Sequence, residues 1–278
     1  MKKEGVIRSR GIYLLPNLFT TAGLFAGFYA IVASMGGRFE AAAVAIFVAM
    51  FTDSMDGRIA RLTNTQSDFG VEYDSLSDMI AFGLAPALVV YIWALSSLGK
   101  IGWLAAFIYT AGAALRLARF NTQVETVSKR YFQGLASPAA AAMIAGLVWV
   151  ASDYDLNPVQ WAWPVLVLTV LAGVLMVSNI RYHSFKEVDL KGKIPFVALL
   201  FIVLVFVFVS IDPPLVLFSI ALLYAFSGPV LTLFFLRRHR AEKEGEAAAD
   251  ITSDGESAPG SESSPASEDG TGEPKAGE

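Results

Sequence analysis

The feature that most limits what this chain can become is the recurrence of apolar runs long enough to cross a bilayer. They fall at 14–35, 40–62, 74–96, 101–122, 135–152, 160–181, 194–211 and 214–236. A hydrocarbon core needs roughly 20 apolar residues of helix to span it, and a helix satisfies its own backbone polar groups where no water can. With 55% apolar and only 17% charged residues, the sequence predicts an all-α polytopic membrane protein of about eight transmembrane helices. Only Asp212, Pro213 and Pro214 separate the last two runs, which predicts a tight helical hairpin, because proline cannot continue the first helix. Six spans plus a re-entrant pair is the alternative.

Charge divides the chain. Residues 1–240 hold 19 Lys and Arg against 14 Asp and Glu, whereas residues 241–278 hold 2 against 11. The second stretch, rich in Gly, Ser, Pro and Glu, has too little to bury and is expected to be a disordered acidic tail. Three parts follow: a juxtamembrane segment at 1–15, either amphipathic or a plain positive flank; a membrane domain at 16–240; and the tail at 241–278. With eight spans and the N-terminus inside, only Arg38 and Lys100 of the 21 basic residues fall outside the cytoplasmic segments and helix ends. That bias predicts a multi-pass protein of the inner, cytoplasmic membrane with both termini in the cytoplasm. The first apolar run is too long for a removable leader and lacks a small-residue cleavage site. Membrane lipids are the expected surroundings, and no nucleic acid partner is expected.

The chain has no cysteine and two histidines, His183 and His239. Disulfides, thiolate metal sites and cysteine nucleophiles are therefore excluded. Chemistry is left to carboxylates, amines, guanidinium groups and hydroxyls, with a hard cation on oxygen ligands as the natural helper.

Four carboxylates stand where a membrane helix should not carry them. The second run ends in Asp53, Asp56, Gly57, Ala60 and Arg61, and Gly70, Asp74 and Asp78 lead into the third. At about 100° per residue, Asp56 sits about 60° around the helix from Asp53, and Asp74 and Asp78 lie one turn apart. The short segment between the runs makes the two helices antiparallel neighbours, so two carboxylate pairs can face each other across a cleft open to the cytoplasm. Ionised groups this close to the acyl region demand compensation. Four carboxylates can hold two divalent cations with positions left for phosphate and water. Gly57 and Ala60 leave the helix wall without bulk there, and Arg61 can pair with a phosphate. The alternatives are close helix packing at Gly57 and Ala60 and salt bridges from Arg58 and Arg61, although two arginines would have to neutralise four aspartates.

These eight residues spell D-x2-D-G-x2-A-R-x8-G-x3-D-x3-D without a gap. The pattern resembles the signature of the CDP-alcohol phosphatidyltransferase family, and the run Pro16-Asn17-Leu18-Phe19-Thr20 and the helical core look similar too, so the resemblance extends from residue 8 to about 236. It implies six spans forming the catalytic core, a homodimer, and two divalent cations, Mg2+ or Mn2+. Asp53, Asp56 and Asp74 would hold one cation and Asp53, Asp74 and Asp78 the other, with Asp78 also the general base. Gly57, Arg61, Ser67 and Gly70, with Asn17 and Thr20 from the first span, would bind CDP-diacylglycerol. For Asn17, Thr20 and Ser67, capping or turn formation is the competing role.

The motif fixes the donor but not the acceptor alcohol. Three further runs resemble the serine-specific branch of the family: Leu115 to Asn121, Phe132 to Ala140, and Ser178 to Lys186, with Ala136 where that branch more often has proline. They imply L-serine as acceptor. Arg116, Arg119 and Lys129 would then be the candidates to meet its carboxylate, and Asn121 and Ser137 its ammonium, unless these residues supply only topological charge and capping. Glycerol-3-phosphate or an inositol phosphate as acceptor is the alternative within the family. A cation transporter is the alternative outside it, although transporter carboxylates belong nearer the bilayer midplane.

Overall fold

Each of the eight apolar runs carries helix over most of its described residues. The computed structural model describes residues 4–63, 65, 67–123, 131–183 and 196–232. Residues 233–278, with the acidic tail, lie outside the described residues, as do Lys129 and the stretch around Lys186 in the third serine-branch run. In order, the helices are α1 (Glu4–Met35), α2 (Phe39–Thr63), α3 (Asp68–Asp78), α4 (Ala85–Trp93), α5 (Lys100–Gln123), α6 (Ser137–Asp153), α7 (Pro158–Val177), α8 (Phe196–Ile211) and α9 (Pro213–Thr232). Among the described residues, five stretches are both long and apolar enough to cross a membrane: Leu15–Met35, Asp68–Trp93, Lys100–Thr122, Pro158–Val177 and Pro213–Thr232. The α2 helix has the length but carries Asp53, Asp56, Arg58 and Arg61, and α6 is a shorter apolar helix.

Local chemistry sets the ends. Ser67 caps α3 by accepting from the Gly70 N–H at 3.1 Å, and Asn157 caps α7 from Val159 at 3.0 Å. Asp212 does the same for α9, taking the Leu215 N–H at 3.0 Å, while Pro213 and Pro214 occupy its first turn, where a missing N–H costs nothing. The helix break expected at the two prolines is thus present, at Asp212. Tyr154, just past α6, donates to the same Asp212 carboxylate at 2.8 Å.

The helices meet through small residues. Ala26, Ala30 and Ala33 of α1 and Ala42, Ala45 and Ala49 of α2 are buried, while Phe25, Phe28, Phe107 and Trp163 face outward. In lipid, apolar bulk gains nothing by turning inward, so close backbone contact drives helix association instead. At the α5–α7 crossing a Cβ on Gly112 would lie 2.5 Å from the Gly173 carbonyl oxygen, and a Cβ on Gly173 2.9 Å from that of Ile108.

Three features depart from the reading by runs. The helix expected to reach residue 181 ends at Val177, because Ser178 turns extended at its cap, and Arg181–His183 forms a strand. That strand pairs antiparallel with Tyr131–Gln133, Phe132 opposite Tyr182 and Gln133 opposite Arg181, so the helical protein carries one two-stranded ribbon among the described residues. The third run is helical from Asp68 onward but passes through a π-helical turn at Met79–Leu84, directly after Asp78. Finally, α1 runs unbroken from Glu4 through Pro16, so the described part of the 1–15 segment is continuous with the first span.

Candidate active site

The end of α2 and the second half of α3 bring the aspartates together. Asp53, Asp56 and Asp74 each offer a carboxylate oxygen within 4.8 Å of the others, and the Asp78 carboxyl lies in hydrogen-bonding contact with that of Asp53. All four line one small cavity, closed on its inner side by Thr20, Ser77 and Phe82. Asp56 is buried, 5% exposed, and the other three are half-buried.

The salt-bridge alternative does not describe this geometry. Arg61 turns its Nε back to the Gly57 carbonyl of its own helix at 2.9 Å. Among the described residues, neither Arg58 nor Arg61 makes an ion pair with the four carboxylates. Arg116 is the guanidinium that senses Asp78 electrostatically, and it donates to Ser137 Oγ at 2.7 Å instead. Four convergent carboxylates without a paired cation, presenting only hard oxygen donors, fit a divalent metal and suit no soft one.

The residues expected to hold the nucleotide separate into two groups. Asn17, Ser67 and Gly70 lie together: a Cβ on Gly70 would stand 3.2 Å from Ser67 Oγ and 3.6 Å from Asn17 Oδ1. Nothing lies within 4 Å of a Cβ placed on Gly57, so that side of α2 is open, with Arg61 exposed beside it. Thr20 differs. It is 4% exposed, and its hydroxyl donates to Asp56 Oδ2 at 2.8 Å, with Pro16 O at 3.2 Å. Its own carbonyl accepts from Ser77 Oγ at 3.1 Å, which ties α1 to α3 beneath the cluster. Thr20 thus addresses a carboxylate from the wall of the cavity.

The three runs beyond the motif meet at the end of α5. Arg119 donates to Gln133 Oε1 on the ribbon and to Asn179 Oδ1 at 2.8 Å. Asn121 exchanges hydrogen bonds with Ser75, one residue from Asp74, at 3.0 and 3.3 Å. Ser137 is fully buried against Arg116, whose Nε is sheltered and has no partner among the described residues. Residue-type reasoning missed Ser75, Ser77, Gln133 and Tyr109, whose hydroxyl donates to the Phe82 carbonyl at 3.0 Å. The available hint was Pro86, which deprives that carbonyl of its ordinary helical donor.

Fold and site together define a polytopic helical membrane protein with a cluster of four aspartates drawn from two successive helices. Residues 13–175 match the profile described as CDP-alcohol phosphatidyltransferase, and the chain belongs to that family. Among its relatives, proteins named CDP-diacylglycerol--serine O-phosphatidyltransferase from two Helicobacter pylori strains are 39% and 40% identical. The first match covers 81% of this chain and 93% of the relative, the second 70% and 83%. A Bacillus subtilis protein of the same name is 34% identical over 62% of this chain and 92% of its own length.

Proposed function

We propose that this protein transfers the phosphatidyl group of CDP-diacylglycerol to the hydroxyl of L-serine, releasing CMP and phosphatidylserine. The observation that carries the reading is the convergence of Asp53, Asp56 and Asp74, with Asp78 against Asp53. The names of the relatives support serine as the acceptor.

Asp53, Asp56 and Asp74 would hold one divalent cation, and Asp53, Asp74 and Asp78 a second, Mg2+ or Mn2+. When bound, such ions neutralise charge on the pyrophosphate and make CMP a better leaving group. Asn17, Ser67 and Gly70 at the head of α3 meet the cytidine end of the donor, while the open wall at Gly57 admits its phosphates and Arg61 swings from its own helix to pair with them. Asp78 takes the proton of the serine hydroxyl as its oxygen attacks phosphorus and the bond to CMP breaks. The unpartnered Nε of Arg116 gives the serine carboxylate a sheltered donor, with Arg119 beside it; Asn121 and Ser137 offer oxygens to the ammonium.

The aspartates occupy the C-terminal end of α2 and the second half of α3, and Arg58, Arg61, Arg116 and Arg119 lie at the C-terminal ends of α2 and α5. The positive-inside rule puts that end in the cytoplasm, in an eight-span protein of the inner membrane with both termini cytoplasmic and six spans around the site. Family resemblance supports a homodimer.

The test is purified full-length protein with CDP-diacylglycerol and serine, glycerol-3-phosphate, myo-inositol, inositol phosphate or choline, each with Mg2+, Mn2+ or EDTA, following CMP and lipid product. Serine-dependent CMP release that needs a divalent cation is expected. Preferential use of another alcohol would overturn the serine assignment, and metal-independent turnover the assignment of the aspartates.

A further inference from the structure

A π turn begins at the residue after Asp78. It spans Met79–Leu84, with the Ala85 N–H reaching back five residues to the Ile80 carbonyl. Such a turn adds a residue to the helix and so rotates the faces on its two sides by about 100° relative to each other. Asp74 and Asp78 can then face the cluster while Val89, Val90 and Trp93 of α4 stay buried in the core.

Something must hold that turn against relaxing to a regular helix. Pro86 has no N–H, so the Phe82 carbonyl four residues before it lacks its α-helical donor. A buried carbonyl without a partner is costly. Tyr109, fully buried on α5, fills the vacancy by donating its hydroxyl at 3.0 Å. The segment has no slack on its other sides. A Cβ on Gly27 would lie 2.7 Å from Ala81 Cα, and one on Gly83 3.1 Å from Ala113 Cβ.

We infer that Tyr109 is a positioning residue for phosphatidyl transfer: its hydroxyl holds the Phe82 carbonyl and with it the π turn that aims Asp78 at Asp53. The inference rests on the reading of Asp78 as metal ligand and base, and Tyr109 itself touches neither substrate nor metal.

The test uses the full-length chain in detergent. Tyr109→Phe keeps the ring and removes only the donor. It is expected to lower kcat for CMP release at saturating Mn2+ about 10- to 100-fold, the usual scale for a group that orients a metal ligand. The KM for CDP-diacylglycerol should stay within about twofold, and Mn2+ affinity, read by EPR without substrate, should fall about tenfold. Added to Asp78→Asn, Tyr109→Phe should change Mn2+ affinity less than about twofold, because its effect passes through that carboxylate. Val148→Ala, a core truncation in α6, serves as the control that lowers the unfolding temperature without lowering kcat. Unchanged kcat and Mn2+ affinity in Tyr109→Phe, or losses that add fully to those of Asp78→Asn, overturn the inference. Should the wild type transfer no phosphatidyl group, that reading fails by itself, and the Mn2+ comparison still decides the role of Tyr109.

Discussion

Replacing Thr20 by valine removes one donor and leaves the shape of the side chain. The Thr20 hydroxyl lies 2.8 Å from Asp56 Oδ2, in a spot where the residue is only 4% exposed, so water cannot substitute. A hydrogen bond to a charged group is worth about 1.5–3 kcal/mol. Asp56 keeps its place on α2 without that bond, which puts the expected loss near the lower end. About 1.5–2 kcal/mol corresponds to roughly 10- to 30-fold in affinity. Thr20→Val should therefore bind Mn2+ that much more weakly, measured by EPR or calorimetry on the purified protein, and recover most of its kcat when Mn2+ is raised. Thr20→Ser, which keeps the hydroxyl, should stay close to wild type. Were Thr20 a nucleotide contact instead, the valine variant would show a raised KM for CDP-diacylglycerol at saturating metal. Metal titrations that superimpose for Thr20→Val and wild type would refute the assignment of Thr20 to Asp56.

Asp78→Asn keeps a ligand oxygen and the shape but removes the base, so turnover should fall about 10²- to 10⁴-fold while CDP-diacylglycerol still binds; near-normal turnover would remove Asp78 from that role. Arg119→Ala loses charge-assisted contacts and should raise the serine KM roughly 10- to 150-fold, and equal damage to both substrates would make Arg119 only the brace between α5 and the ribbon. Gly112→Ala drives a methyl to 2.5 Å from the Gly173 carbonyl oxygen. It should cost about 1–3 kcal/mol of stability, seen as a lower unfolding temperature in detergent, and no shift would show that α5 and α7 part without strain.

Chain order and composition alone were enough to determine that this is a helical membrane protein, where its helices lie, and that Asp53, Asp56, Asp74 and Asp78 belong to one cluster. Those features depend on residues close in sequence: hydropathy along a run, a turn of helix between Asp74 and Asp78, a short link that turns the chain back toward Asp53 and Asp56. The turn at Asp212 was legible for the same reason, since Pro213 and Pro214 act on their immediate backbone. Tertiary structure decided the rest. Thr20 looks like a ligand contact or a cap until α1 packs on α2 and sets its hydroxyl against Asp56, 36 residues away in the chain. The pairing of Tyr131–Gln133 with Arg181–His183 joins segments that two intervening helices separate, and each strand is too short to carry an alternation of its own. The π turn after Asp78 leaves no trace in the apolar pattern, because a membrane-spanning helix is apolar on its lipid-facing and packed sides alike and a rotation of its face changes nothing in the run. Only the partner that fills the gap left by Pro86, a hydroxyl from the facing helix, makes that geometry the stable one.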